Sequence, residues 1–220
     1  MAQNTSYAVM AQRIEPHDSL DDFPTPPWAT RALIEHAIGP EVVKNLSVWE
    51  PACNRGHMVK PLKEYFRRVH ASDIHDYSLE EGKDWHQERV VDFLWPASES
   101  TMIEKQGVDW IITNPPFRLA EQFVHRAWRV KGVQGIAMIV RTSFLEGIGR
   151  YEGLFRPFPP AIVAQFTERV PMAKGRMLAS TVTATAYCWI VWMMRHGEDG
   201  TRLTWIPPCR KQLERPEDYT

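Results

Sequence analysis

Asn114, Pro115, Pro116 and Phe117 directly follow the apolar run Val108-Asp109-Trp110-Ile111-Ile112-Thr113, and residues of these types in this order can hold a planar amine. Two consecutive prolines remove two backbone N–H donors and fix φ twice, which makes the turn rigid and rich in carbonyl acceptors. An exocyclic amine on an aromatic ring is a poor nucleophile because its lone pair is delocalised into that ring. If the Asn114 side-chain oxygen and the Pro115 carbonyl accept its two N–H hydrogens, the nitrogen is drawn toward tetrahedral geometry and the lone pair is freed. This is positional and electrostatic catalysis, with no strongly shifted general base required. Phe117 offers a ring on which a flat base can stack. The plainer alternative is a proline turn with Phe117 in the core, but the end of a buried strand is where open α/β sheets place their ligands.

The elements that must position this turn alternate. Apolar runs around Leu46–Pro51, Arg68–Ile74, Arg89–Leu94, Val108–Phe117 and Gly135–Phe144 are separated by helix-length segments at 57–66 and 119–130. That alternation predicts an α/β fold, a mostly parallel sheet with helices on both faces. The later runs 161–170 and 181–194 have no clear helix between them and predict an antiparallel terminal hairpin on the sheet edge. Thr25 reads as an N-cap before Pro26 and Pro27, leading into a helix that Gly39-Pro40 stops. Lys60, Lys63, Arg67 and Arg68 read as the outer face of a helix. The expected organisation is an N-terminal arm over 1–22, a catalytic domain over 23–206 and a charged tail over 207–220, loose beyond Trp205-Ile206.

With Asn114–Phe117 the chain resembles the S-adenosylmethionine-dependent amino-methyltransferases, whose signature is Asp, Asn or Ser followed by Pro-Pro and an aromatic residue. The resemblance extends over most of the chain and implies a Rossmann-like methyltransferase sheet. Glu50-Pro51-Ala52-Cys53-Asn54-Arg55-Gly56 is similar to the family's cofactor loop, an acidic residue and a small-residue turn before a helix. There Glu50 would hold the amino group of the cofactor's methionine part, and Gly56 would let the backbone approach closely. The family usually has glycine where this chain has Asn54, and asparagine tolerates positive φ better than most residues. Asp73, followed by Ile74, matches the acidic residue that holds ribose hydroxyls. Asp92-Phe93 resembles the next element, a carboxylate for the cofactor's adenine amino group and a ring that covers it. Phe23-Pro24-Thr25-Pro26 resembles the segment that closes the methionine end in DNA amino-methyltransferases. The implied activity is methylation of the N6 amino group of adenine in DNA, with the base flipped out of the duplex to reach Asn114 and Phe117.

Composition sets bounds. The chain has 220 residues and is 44% hydrophobic, enough for one substantial core. No run approaches the roughly 20 apolar residues of a membrane span, and the polar N-terminus lacks a signal peptide's apolar stretch, so a cytoplasmic protein is expected. Cys53, Cys188 and Cys209 have no metal-ligand spacing, which leaves three reduced thiols and no metal. A net charge of -1 gives no bulk basic excess for nucleic acid. DNA contacts therefore fall to loops: Arg141 and Ser143 after the fifth strand, and Lys174 and Arg176 beside Gly175, which can follow a phosphate backbone.

Few residues remain after Phe117, so a separate recognition domain does not fit. That compact plan resembles small methyltransferases of phages and prophages, which implies low sequence selectivity and protection of phage DNA from host restriction. The same motif is similar to RNA amino-methyltransferases, to glutamine methyltransferases acting on release factors, and to N4-cytosine DNA methyltransferases. The Phe23–Pro26 segment before the cofactor loop favours DNA adenine. A non-catalytic nucleic-acid-binding relative, with Asn54 marking a degenerate cofactor loop, is the alternative of another class.

Overall fold

The structure, a computed structural model, describes residues 21–77, 86–103, 107–177, 183–194 and 200–219. Of the expected N-terminal arm only Asp21 and Asp22 lie among them.

Eight strands form one sheet: β1 Ser47–Glu50, β2 Arg68–Asp73, β3 Arg89–Val90, β4 Trp110–Thr113, β5 Gly135–Arg141, β6 Ile162–Phe166, β7 Tyr187–Met193 and β8 Arg202–Ile206. Their order is β3-β2-β1-β4-β5-β7-β6-β8. β3 through β5 are parallel neighbours, and β7 runs antiparallel to both β5 and β6. The expected hairpin is present, with β7 inserted between β5 and β6. The edge itself is β8, parallel to β6. Sequence reading misses this strand because Arg202, Leu203 and Trp205 are exposed, which blurs the apolar signal.

The alternation of side chains builds two cores, one on each face. Trp110, Ile112, Ala137, Ile139, Trp189 and Val191 pack on one side, against α1 (Pro27–Leu33) and α3 (Val59–Tyr65). Ile111, Ile136, Met138, Ile190 and Trp192 pack on the other, against α5 (Ala120–Ala127). The other α-helices among the described residues are shorter: α2 Pro40–Val43, α4 Ser98–Met102, α6 Ile148–Arg150 and α7 Arg210–Leu213. Gly135 stands opposite Trp110 in the β4–β5 register, and a Cβ there would lie 2.5 Å from the indole. A glycine lets the large ring lie flat across the neighbouring strand.

Three local expectations change. Thr25 does not cap α1, because the helix starts at Pro27 with Pro26 as its N-cap residue and no side-chain cap bond. The two prolines supply no N–H for the threonine to accept from, and its hydroxyl is buried without a partner. Arg67 and Arg68 stand past the end of α3, Arg68 opening β2, so only Lys60 and Lys63 belong to that helix. The tail is also not loose. The Arg31 guanidinium donates to both carboxylate oxygens of Asp218, at 2.7 and 2.9 Å, and to the Leu213 carbonyl at 2.7 Å. Glu64 takes its remaining edge. The Arg31 and Asp218 side chains are 3% and 2% exposed, so this pair is withdrawn from water and locks the C-terminal residues onto α1.

Breaking one partner of a buried pair costs about 3–5 kcal/mol because the other charge is left uncompensated. Asp218→Ala, and removal of residues 207–220, are each expected to lower unfolding free energy by about that amount in urea titrations. An unchanged midpoint would leave the tail without a structural role.

Candidate active site

A cavity of about 1000 Å³ opens at the C-terminal ends of β1, β2, β4 and β5. This is the point where strand order reverses, between β1 and β4. The loops after β1, β2, β3 and β4 form its walls together with Arg141 and Lys174, and the segment before α1 crosses them.

The turn after β4 supplies Asn114, Pro116 and Phe117 to the lining, while Pro115 is buried behind them. The Asn114 Nδ2 donates to the Phe23 carbonyl at 2.8 Å. A carbonyl can only accept, so this contact decides which way the amide faces. Its Oδ1 is therefore the free end, and it is buried with no partner. The two proline carbonyls are not equivalent. Pro116 accepts the Leu119 N–H at 2.8 Å and closes the turn into α5. Among the described residues no donor reaches the Pro115 carbonyl. Phe117 is half-buried, 5.3 Å from Phe23 between ring centroids, and the Arg141 guanidinium lies over its ring at 4.3 Å.

The loop after β1 supplies Pro51, Ala52, Cys53 and Asn54. Asn54 takes φ 50°, the left-handed conformation that the usual glycine would adopt, so the substitution keeps the loop's path. Its side chain adds four bonds that a glycine lacks, one of them from the Arg55 guanidinium to the Oδ1 at 3.3 Å. The Nδ2 donates to Asp22 at 2.6 Å and to the Tyr77 hydroxyl at 3.1 Å, and the Oδ1 accepts the Arg55 N–H at 2.7 Å. Gly56 does not line the cavity. It has φ 82°, and a Cβ would meet His86 at 3.0 Å, which accounts for glycine without a close ligand.

Glu50 lies one residue behind that wall, fully buried. Its Oε1 accepts from the Thr113 hydroxyl and from the Ala52 N–H, and its Oε2 has no partner. Burial pushes the carboxyl up to about 8, against the pull of those two hydrogen bonds. Asp73, at the end of β2, accepts the Asn54 N–H at 2.9 Å and the His75 N–H at 3.0 Å. Burial raises its carboxyl as well, and the two backbone bonds oppose the rise. Ile74 follows on the rim, 63% exposed. Asp92 is exposed, with Oδ1 accepting the Leu94 N–H. Phe93 lines the cavity from within the core, packed edge-on to Trp49 at 5.1 Å and against Phe123 at 5.0 Å.

Of the remaining sequence candidates, Phe23, Thr25, Arg141 and Lys174 line the cavity; Pro26, Ser143 and Arg176 do not. Sequence reading gave no role to Asp21 and Asp22, and both are part of the site. Asp21 Oδ2 accepts the Phe117 N–H at 2.6 Å. Asp22 pairs with Arg55 at 2.9 Å, and its carbonyl accepts the Gly175 N–H at 2.8 Å. A short polar run before a helix carries no pattern that would have revealed this. Arg118, Leu119, Met58 and Tyr77 also line the cavity and were not foreseen.

No family model matches the chain, and a comparison with curated proteins finds no related sequence. Solved structures do resemble it. A methyltransferase subunit of a type I restriction-modification system from Streptococcus thermophilus superposes with a TM-score of 0.54 at 14% identity, over 90% of this chain and 50% of that one. A protein from Listeria monocytogenes, assigned as a class I S-adenosylmethionine-dependent methyltransferase, gives 0.53 at 14% identity over 94% and 71%. One from Pyrococcus horikoshii, assigned as an RNA methyltransferase, gives 0.53 at 14% identity over 84% and 95%. The chain therefore has the Rossmann-like fold shared by these methyltransferases, with a cavity at the switch point of its sheet.

The raised Glu50 carboxyl sets a pH dependence. The folded protein holds this proton more tightly than the unfolded chain, so the group's stabilisation is complete below the ordinary carboxylate range and is lost as pH rises through about 8. Urea unfolding of the ligand-free protein should show stability falling over that window by on the order of a few kcal/mol. Glu50→Gln should flatten the profile. A wild-type protein that gains stability toward pH 8 at this site would show that the buried carboxylate is ionised and paired.

Proposed function

We propose that the chain is an S-adenosylmethionine-dependent methyltransferase acting on the N6 amino group of adenine in DNA. The observation that carries this reading is the orientation of Asn114, whose donor end is tied to Phe23 while its buried oxygen is left without a partner. Two acceptors and no donor on a rigid turn suit a group that brings two N–H hydrogens.

The residues present fit the cofactor. Glu50 Oε2 and the Thr25 hydroxyl are buried polar atoms without partners, next to a loop whose backbone already takes the left-handed turn. An amino group from the cofactor's methionine part would give the Glu50 carboxylate the cation that burial otherwise denies it. Phe23, Thr25, Pro51, Ala52 and Asn54, which line the cavity, would shape that end. Asp73 would take ribose hydroxyls, since each of its oxygens keeps a second lone pair. Ile74 and Phe93 would cover the adenine ring, with Asp92 near its amino group. When bound, the cofactor supplies a methyl group on a cationic sulfonium.

What the chain does for the acceptor is hold it. Asn114 Oδ1 and the Pro115 carbonyl accept the amine hydrogens, which turns the nitrogen's lone pair out of the ring plane. Phe117 stacks the base, and Pro116 keeps the turn closed through Leu119. An adenine inside a duplex cannot reach this turn, so the base must leave the stack. Arg141, Ser143, Lys174 and Arg176 would contact phosphates on the same side. The reading carries low sequence selectivity, of the kind associated with phage DNA modification.

Incubation with labelled cofactor and DNA or RNA, followed by mass spectrometry of the nucleosides, is expected to give N6-methyladenine in DNA. Label in RNA, in cytosine or in protein would replace the acceptor. Asn114→Ala should lower the rate on the order of 10²–10³-fold, as for other single hydrogen-bonding groups that act in a transition state. A loss under about threefold would remove Asn114 from the mechanism.

A further inference from the structure

Arg141 ends β5, is exposed, and lines the cavity with its guanidinium over the Phe117 ring, 4.3 Å from the centroid. A guanidinium is flat, delocalised and cationic, and it lies on an aromatic face much as a nucleobase does. We propose that Arg141 is a stacking placeholder, occupying the seat of the acceptor base on Phe117 in the free protein and yielding it when the base arrives. The proposal rests on the reading that Phe117 stacks the acceptor.

Three features support an exchange in place of a permanent contact. Phe117 has its backbone N–H tied to Asp21 and its ring beside Phe23, so the ring stays put whichever partner covers it. An exposed cation–π contact is weak, worth a few-fold in population, so a base can displace it. The displaced cation has somewhere to go, because a flipped nucleotide brings its flanking phosphates to the cavity mouth, where Lys174 and Arg118 also stand. The Tyr187 phenol is the buried neighbour on the paired strand, and burial holds it protonated while Arg141 pulls the other way. Arg141 also hydrogen-bonds that phenol, a neutral partner that it gives up more readily than a carboxylate. While the seat is covered, Phe117 presents no bare apolar face to water.

The test follows the Arg141 Nε–H resonance by nuclear magnetic resonance, assigned through Arg141→Lys. In the free protein it is expected upfield of ordinary arginines, through the ring current of Phe117, and to lose that displacement in Phe117→Leu. Saturation with a short adenine-bearing duplex should return it to the ordinary position. In binding titrations Arg141→Ala should lower the slope of log affinity against log salt by about one, while Arg141→Lys retains it. A resonance that stays upfield in the saturated complex overturns the placeholder, as does an unchanged slope in the alanine variant. Methylation by Phe117→Ala reads the underlying assignment separately. If that variant is slow and the Arg141 signal stays upfield, the placeholder alone falls; if it works at the native rate, stacking on Phe117 falls and takes the placeholder with it.

Discussion

One hydrogen bond, from the Asn114 amide nitrogen to the Phe23 carbonyl at 2.8 Å, governs the chemistry open to this cavity. An asparagine presents a donor and an acceptor, and here only the acceptor is open to a ligand. With the donor consumed by a backbone carbonyl that has no donor capacity, the amide cannot turn over without losing a bond and burying an unpaired N–H, a cost of about 1–3 kcal/mol. The same bond joins the start of α1 to the end of β4, residues that are far apart in sequence.

That join belongs to a wider strap. Asp21, Asp22 and Phe23 tie together three loops of the site, through the Phe117 N–H, the Asn54 and Arg55 side chains, and the Gly175 N–H. Each contact is weak to moderate alone. Together they couple the position of the cofactor loop to that of the proline turn, so a shift of one loop is felt at the other. Preorganised acceptors are effective only if they do not have to move during the reaction, and a strap is an economical way to hold two loops carried by different strands.

The parts of the site legible in sequence were those whose geometry is local. The two prolines fix their own φ, Asn54 tolerates the left-handed turn by itself, and Asp73 ends a strand whose pattern announces it. Alternation of apolar residues likewise made the two-faced sheet readable before its order was known. What escaped depends on partners remote in the chain. Asp21 and Asp22 acquire roles only because β4 and the 171–176 loop come to meet them, and the tail orders only because Arg31 is buried on α1 with a vacant side for Asp218. β8 was missed for a related reason, since an edge strand with exposed Leu203 and Trp205 has half the burial pattern of an inner one. Thr25 shows the converse, a local cap signal that failed because the prolines following it remove the donors a cap needs.

The distribution of charge within the cavity narrows what can bind where. Carboxylates gather on one side and in the strap: Asp73 and Asp92 after β2 and β3, Asp21 and Asp22 before α1. The cations of the lining, Arg118, Arg141 and Lys174, follow β4, β5 and the loop before β7. A molecule that carries positive charge is favoured on the first side and a polyanion on the second, and exchanging the two would set like charges against each other in a partly dry space, where they are screened least. Under the proposed function, a cationic methyl donor would take the first side and a nucleic-acid backbone the second. The chain thus needs no overall basic charge to admit a polyanion. The net charge of -1 is the balance of 26 Lys and Arg against 27 Asp and Glu over the whole chain, and it leaves room for a local field of either sign within the cavity.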